Sequence, residues 1–145
     1  MRKLFSIMNV SFLLIIAAAC GSNEVNGKGP ADIPVEWVNA EIQKNEPKML
    51  DLLEKKSKAL DVEDKAENKE TIKQYKLTEW KANDEHYFYK IEYLDPTDND
   101  RLRTDKMELI KTDSGWKRTK YGNINDFDKL VEDLKPTVLR ELHDK

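Results

Sequence analysis

The residue with the clearest chemistry is Cys20, because it is the only cysteine of the 145-residue chain. A single thiol has no disulfide partner within its own chain, and an unpaired thiol is a liability in an oxidising compartment. The residues before it follow the order of an export signal: Arg2 and Lys3 come first, and an apolar stretch, residues 4–19, follows. Its densest part is shorter than the roughly 20 apolar residues of a membrane-spanning helix. The sequence therefore predicts that residues 1–19 are a signal peptide.

The small residues in front of Cys20 indicate how its thiol is used. Ala17, Ala18 and Ala19 close the apolar stretch, and Gly21 follows the cysteine. This order resembles the lipobox of bacterial lipoproteins, in which the cysteine receives a diacylglycerol and becomes the first residue after cleavage. The resemblance implies a lipidated Cys20 and an anchor at the outer face of the cell membrane. Ordinary signal peptidase also accepts a run of alanines, so release with a free N-terminal cysteine is the alternative.

Charge is distributed unevenly along the rest of the chain. Without the signal peptide it carries 23 basic and 28 acidic residues, and this net charge of −5 argues against nucleic acid as a partner. Residues 101–121 are the exception, with seven basic and three acidic residues. Such a basic surface suits an anionic envelope polymer, a lipid headgroup or an acidic protein, and a solvated sheet face is the plainer interpretation. The candidate contacts for a partner are Arg101, Arg103, Lys117, Arg118 and Lys120.

Aromatic residues form a second candidate site. Tyr87, Tyr89 and Tyr93 stand at the two-residue spacing of a strand, which is the spacing that packing against a helix requires. The pattern therefore favours a core stripe over an active site. If the fold encloses a pocket, we expect Trp37, Tyr89 and Trp116 in its wall.

The remaining polar candidates favour structural roles. The histidines, His86 and His143, are far apart in the sequence, so we expect no catalytic pair. The run Asp95–Asp100 offers oxygen ligands, but it lacks the central glycine and the terminal glutamate of a calcium loop. We therefore expect a polar turn there, and neither a metal site nor a cofactor.

The N-terminal half of the predicted fold is helical. Asp32 and Asn45 are suited to cap helices, and apolar residues at helical spacing follow each of them. The second apolar stripe extends to Leu60. Residues 54–73 are dominated by Lys, Glu and Asp, which predicts a frayed helix end and a solvated loop.

The remaining residues predict a sheet and a last helix. Alternating patterns joined by short turns imply a four-strand antiparallel meander. A capping Asn125 and an apolar stripe that reaches Leu142 predict a C-terminal helix, kinked near Pro136. The strands are expected from 75 past 80, over 86–93, over 102–111 and over 116–121.

This order of elements resembles the cystatin-like roll of nuclear-transport-factor-two-like domains, as in small Gram-positive lipoproteins. The likeness is carried by the segments 35–45, 45–53 and 111–117. It implies a sheet that curls around a helix and leaves a cone-shaped pocket in some members. We expect a single α+β domain over residues 32–145, with a tail frayed after about residue 136, behind a flexible lipidated tether of residues 20–31.

The function predicted from these features is a membrane-anchored, non-enzymatic binding or interaction module of the cell envelope. The alternative is an extracytoplasmic enzyme or small-ligand carrier that uses the pocket of the roll, because the fold alone does not fix function. A closed apolar interior favours the first function. An open pocket with a buried carboxylate beside a tyrosine hydroxyl favours the second.

Overall fold

A computed structural model describes residues 23–145 as an α+β fold with one five-stranded antiparallel sheet. The predicted signal peptide and Cys20 lie outside the described residues. In chain order the elements are α1 (Asp32–Ile42), α2 (Glu46–Leu52), β1 (Tyr75–Asn83), β2 (His86–Asp95), β3 (Arg101–Thr112), β4 (Gly115–Arg118), α3 (Phe127–Leu130) and β5 (Pro136–Arg140). The strand order β4-β3-β2-β1-β5 places the meander first and adds β5 beside β1.

The second helix is capped as its sequence predicts but ends earlier. The side chain of Asn45 accepts a hydrogen bond from the backbone N–H of Lys48 at 3.2 Å, which satisfies one free donor of the first turn. Leu53 is already extended and forms a parallel bridge with Arg118 of β4. The expectation that the helical stripe continues to Leu60 is therefore wrong, because pairing with the sheet takes the chain out of the helix.

The two faces of the sheet bury different clusters. Odd-numbered residues of β2, from Tyr87 to Tyr93, are buried against α1 and α2, together with Trp37 and Val38. On the opposite face, Phe88 of β2 contacts Phe127 of α3 in a smaller cluster. The sheet is therefore covered by helices on both sides, and the larger core lies on the side of α1 and α2.

The C-terminal region corrects two expectations. The predicted C-terminal helix is wrong, since only Phe127–Leu130 is helical and Pro136–Arg140 pairs with β1 as a strand. The predicted four-strand sheet therefore has five strands. Pro136 cannot donate a helical hydrogen bond and disfavours helical backbone in the residue before it. Thr137 and Val138, which follow it, are β-branched and suit a strand.

We expect removal of residues 136–145 to lower the free energy of unfolding by about 2 kcal/mol or more. The truncation leaves the outer edge of β1 without its partner strand, and each lost backbone hydrogen bond costs about 0.5–1.5 kcal/mol. Urea unfolding of residues 23–135 measures the effect. Residues 23–140, which keep β5, are the matched control, and equal unfolding midpoints would contradict the role given to β5.

Candidate functional site

Arg118 is a buried structural residue, although its sequence position suggests an exposed basic face. It is 1% exposed, and its guanidinium donates hydrogen bonds to both carboxylate oxygens of Asp105, at 2.8 and 3.1 Å. It also donates to the backbone oxygens of Lys120 at 2.7 Å and Gly122 at 3.0 Å. The ring of Trp37 lies 4.2 Å from the guanidinium carbon. The cation is thus fully engaged within the domain, and its assignment to a partner-binding surface is wrong.

The other four basic candidates are not gathered on one hairpin. Only the last four residues of the 12-residue β3 pair with β4. Arg101 and Arg103 lie at the opposite end of β3, and Lys117 pairs with Ile110, about 23 Å further along the strand. The Lys117 ammonium donates to a backbone oxygen of α2 at 2.5 Å, while Lys120 is exposed beyond β4. The structure therefore brings together only Arg101 and Arg103.

Arg103 belongs to a hydrogen-bonded turn between β2 and β3. Its guanidinium lies 2.8 Å from Asp95 and 2.9 Å from Asp98. Asp95 also accepts hydrogen bonds from the backbone and the hydroxyl of Thr97. Burial alone would raise the pKa of Asp95, but these hydrogen bonds and the charge of Arg103 outweigh it and lower that pKa. Within residues 23–145 no group of three or more acidic, histidine or cysteine side chains is arranged to hold a metal ion.

The three aromatic candidates lie in the core and do not surround a common pocket. Trp37 packs between Arg118 and the edge of Tyr121. Tyr89 is completely buried. Trp116 is 2% exposed and reaches the wall of a cleft of about 190 Å³ beside α2. A shared ligand site of these three side chains has no support in their geometry.

A carboxylate does lie beside a tyrosine hydroxyl, as the enzymatic alternative requires. The hydroxyl of Tyr89 donates to Glu79 of β1 at 2.5 Å. Burial raises the pKa of Tyr89, and the hydrogen bond to Glu79 raises it further. Tyr89 has no exposed surface, and neither side chain lines the clefts of about 190–550 Å³ found over residues 23–145. The pair therefore serves as a hydrogen bond of the core rather than as part of a substrate pocket.

The first half of β3 has a free outer edge. Even-numbered residues of β3 direct their backbone N–H and C=O groups outward, away from β2. The carbonyl oxygens of Glu108 and Lys106 accept hydrogen bonds from Thr119 at 3.1 Å and from Ile124 at 3.2 Å, both in the segment after β4. Alternation along the strand points the N–H and C=O of Leu102 and Thr104 to the same side. Within residues 23–145 these four groups form no hydrogen bond. They make up the free edge of β3, which we define as Arg101–Asp105.

A cleft of about 430 Å³ runs beside the free edge of β3. Leu102 is 56% exposed there, at the start of β3. The side chain of Arg101 is 73% exposed, and its nearest acidic partner, Asp98, is 3.8 Å away. Besides the edge residues, the cleft is lined by Glu41, Tyr93 and Asn123.

The sequence did not point to this edge, although it contained one signal. The predicted strand over 102–111 is longer than its predicted partner over 116–121. In an antiparallel hairpin the surplus residues lie at the end away from the turn, which is where Leu102 and Thr104 are. A mismatch in strand length thus indicates an unpaired segment.

Comparison of the chain with protein-family models, with curated proteins and with solved structures gives no match. Over residues 23–145 the helices are too short or too polar to cross a membrane.

We expect Arg118→Glu to lower the free energy of unfolding by about 3–5 kcal/mol, because it leaves Asp105 buried beside a second negative charge. Arg101→Glu is the matched charge reversal on the same sheet, and we expect a change within about 0.5 kcal/mol. Urea unfolding of the two variants measures these losses. Arg118→Met, Asp105→Leu and their double variant form the cycle that measures the coupling. A loss below about 1 kcal/mol for Arg118→Glu would show that the ion pair is dispensable.

Proposed function

We propose that this protein is a lipid-anchored, non-enzymatic interaction module of the cell envelope, and that the free edge of β3 binds an extended segment of a partner. The observation that carries the proposal is the set of four backbone groups at Leu102 and Thr104 that have no partner within residues 23–145. An added strand is the ligand that satisfies alternating N–H and C=O groups on a sheet edge. The edge spans five residues, about 17 Å, which suits a short extended peptide.

The charge at the edge favours an acidic partner segment. Arg103 is held by Asp95 and Asp98, whereas Arg101 extends past its nearest carboxylate into solvent. An acidic side chain opposite Arg101 gains a cross-strand ion pair. Leu102 offers an apolar contact on the other face of the added strand. An anionic envelope polymer shares the charge but lacks the backbone pattern that the edge requires.

The packed interior supports binding over catalysis. Tyr89, Ile91, Met107 and Leu109 fill the space between the sheet and the helices. The resemblance to a cystatin-like roll extends to the helices on one face of an antiparallel meander, and β5 is an addition to that arrangement. In our proposal the roll is a scaffold, and function lies at its edge.

We expect the wild-type chain to fractionate with membranes and its mature N-terminus to carry a diacylglycerol on Cys20. Two acyl chains anchor a protein durably, because each buried methylene contributes about 0.8 kcal/mol. Cys20→Ser removes the thiol that forms the thioether and should leave the protein without this anchor. Intact-mass measurement decides the question, and an unmodified N-terminal cysteine on the mature wild-type protein would contradict the proposal.

We expect Thr104→Pro and Arg101→Glu each to reduce partner binding at least about tenfold, the effect of about 1.4 kcal/mol. Proline removes one outward N–H that has no partner in the domain, and edge strands tolerate proline. The glutamate repels an acidic segment and should act most strongly at low salt. The measurement uses immobilised residues 23–145 and a detergent extract of the cell membranes, with quantification of each retained protein.

Lys58→Glu is the matched control, because Lys58 is exposed in the loop after α2 and its reversal changes the net charge equally. Thermal unfolding confirms that every variant is folded. A loss of retention in both edge variants, with no loss in Lys58→Glu, supports the free edge as the binding site. Retention that is equal for all four proteins would reject that site and leave the lipid anchor as a separate claim.

A further inference from the structure

Residues 23–31, which we name the strap, are docked on the domain, whereas their composition suggests a flexible tether. The backbone oxygen of Asn23 accepts a hydrogen bond from the indole N–H of Trp116, and its amide donates to the hydroxyl of Tyr87, each at 2.5 Å. Val25 packs against the main core and exchanges two backbone hydrogen bonds with Lys28, at 2.9 and 3.2 Å. The strap is thus tied to the sheet by side chains, and a turn of its own holds its shape.

The end of the strap is tied to α1, at a carboxylate that α1 also shares with α2. The Lys28 ammonium lies 2.7 Å from Glu36 of α1, and the same carboxylate lies 3.0 Å from Lys48 of α2. Asp32 is the first residue of α1 rather than its cap, and its carboxylate accepts the backbone N–H of Gly29 at 2.9 Å. These contacts leave no free hinge between the strap and α1.

The docked strap starts at one particular end of the sheet. Tyr87 is the second residue of β2 and Trp116 the second residue of β4, so Asn23 lies near the β1–β2 and β3–β4 turns. The free edge of β3 begins at the opposite end, next to the β2–β3 turn. At a rise of about 3.3 Å per residue the two ends of β2 are about 30 Å apart.

We infer that the strap fixes the orientation of the anchored domain, with the β1–β2 and β3–β4 turns against the lipid surface and the free edge of β3 projecting away from it. The inference rests on the proposed lipid at Cys20. Three peptide units join Cys20 to Asn23 and reach at most about 11 Å. A flexible tether over residues 20–31 would instead have an end-to-end distance of about 18 Å and would let the domain rotate freely.

Electrostatic attraction to lipid does not set this orientation. At the membrane-facing end, Lys81 is paired with Asp84 at 2.6 Å and Lys117 is held by α2. Asp113 and Glu24 are exposed at the same end. The orientation should therefore hold on vesicles of zwitterionic phosphatidylcholine, without anionic lipid.

The test measures the height of both ends above a vesicle. The mature chain, residues 20–145, is coupled through the Cys20 thiol to a maleimide phospholipid in phosphatidylcholine vesicles, so the test does not require lipidation by the cell. A ketone-bearing amino acid replaces Asp113 or Leu102, both exposed, and carries the donor dye, while acceptor dyes label lipid headgroups. We expect the efficiency of energy transfer from position 113 to exceed that from position 102 about twofold or more, because β3 separates the two positions by about 35 Å.

Two insertions provide matched variants. Eight Gly/Ser residues between Ser22 and Asn23 lengthen the link from Cys20 to Asn23 and should make energy transfer from the two positions equal. The same eight residues between Lys58 and Ala59, in the loop after α2, should leave the difference unchanged. Equal transfer from both positions without any insertion, or a difference that survives the insertion before Asn23, would overturn the inference. Failure of the proposed lipidation is seen separately, by intact mass of the protein from cells.

Discussion

The buried ion pair between Arg118 and Asp105 is the interaction on which the arrangement of the sheet depends. It joins β4 to β3 under Trp37 of α1, where one helix and two strands meet. β4 has only four residues, so its ladder alone gives the chain little hold. The Arg118 guanidinium strengthens the attachment by donating to four oxygens, two of Asp105 and two of the segment after β4. The backbone oxygen of Arg118 adds a hydrogen bond from Glu54 at 2.9 Å.

That ion pair also explains why β3 has a free edge. The carbonyls of Lys120 and Gly122 turn toward Arg118, and the chain curves away from β3 after Thr119, whose N–H still donates to Glu108. The chain touches β3 again at Lys106 and then crosses to the other face, where Phe127 packs on Phe88. Apolar residues of similar volume often stabilise a core as well as a buried ion pair does. They would offer no donors to those carbonyls, so the path of the chain is the specific contribution of the arginine.

Much of the fold can be predicted from the sequence, and the predictions that are wrong have physical causes. Alternation in β2 and the cap at Asn45 were predicted because each depends on neighbouring residues alone. Arg118 was assigned to an exposed binding surface because it is charged. Its register places it on the same strand face as Trp116, two residues earlier. Asp105 likewise shares a face with Met107 and Leu109. Register would have placed both charges in the core.

The strap and β5 were missed for a different reason. Both depend on contacts between distant parts of the chain, such as Asn23 with Trp116 and Val138 with Thr78. Composition describes a segment as though it were isolated, so a polar strap looks like a tether. The apolar stripe that crosses Pro136 likewise looks like one helix. The periodicity of a segment does not show which distant strand the segment pairs with.

The arginines of the free edge oppose pairing with a second copy of the chain in three registers. Antiparallel self-pairing centred on Leu102 places Arg101 opposite Arg103, and centring on Arg103 places that residue opposite itself. Parallel pairing in register sets each arginine beside its own copy. Like charges directly opposite one another destabilise a strand pair, and charged edges are a common protection against self-association. An acidic side chain of another protein placed opposite Arg101 is attracted rather than repelled. In the proposed orientation the free edge of β3 would lie about 30 Å above the lipid surface, where a partner strand would have access to it.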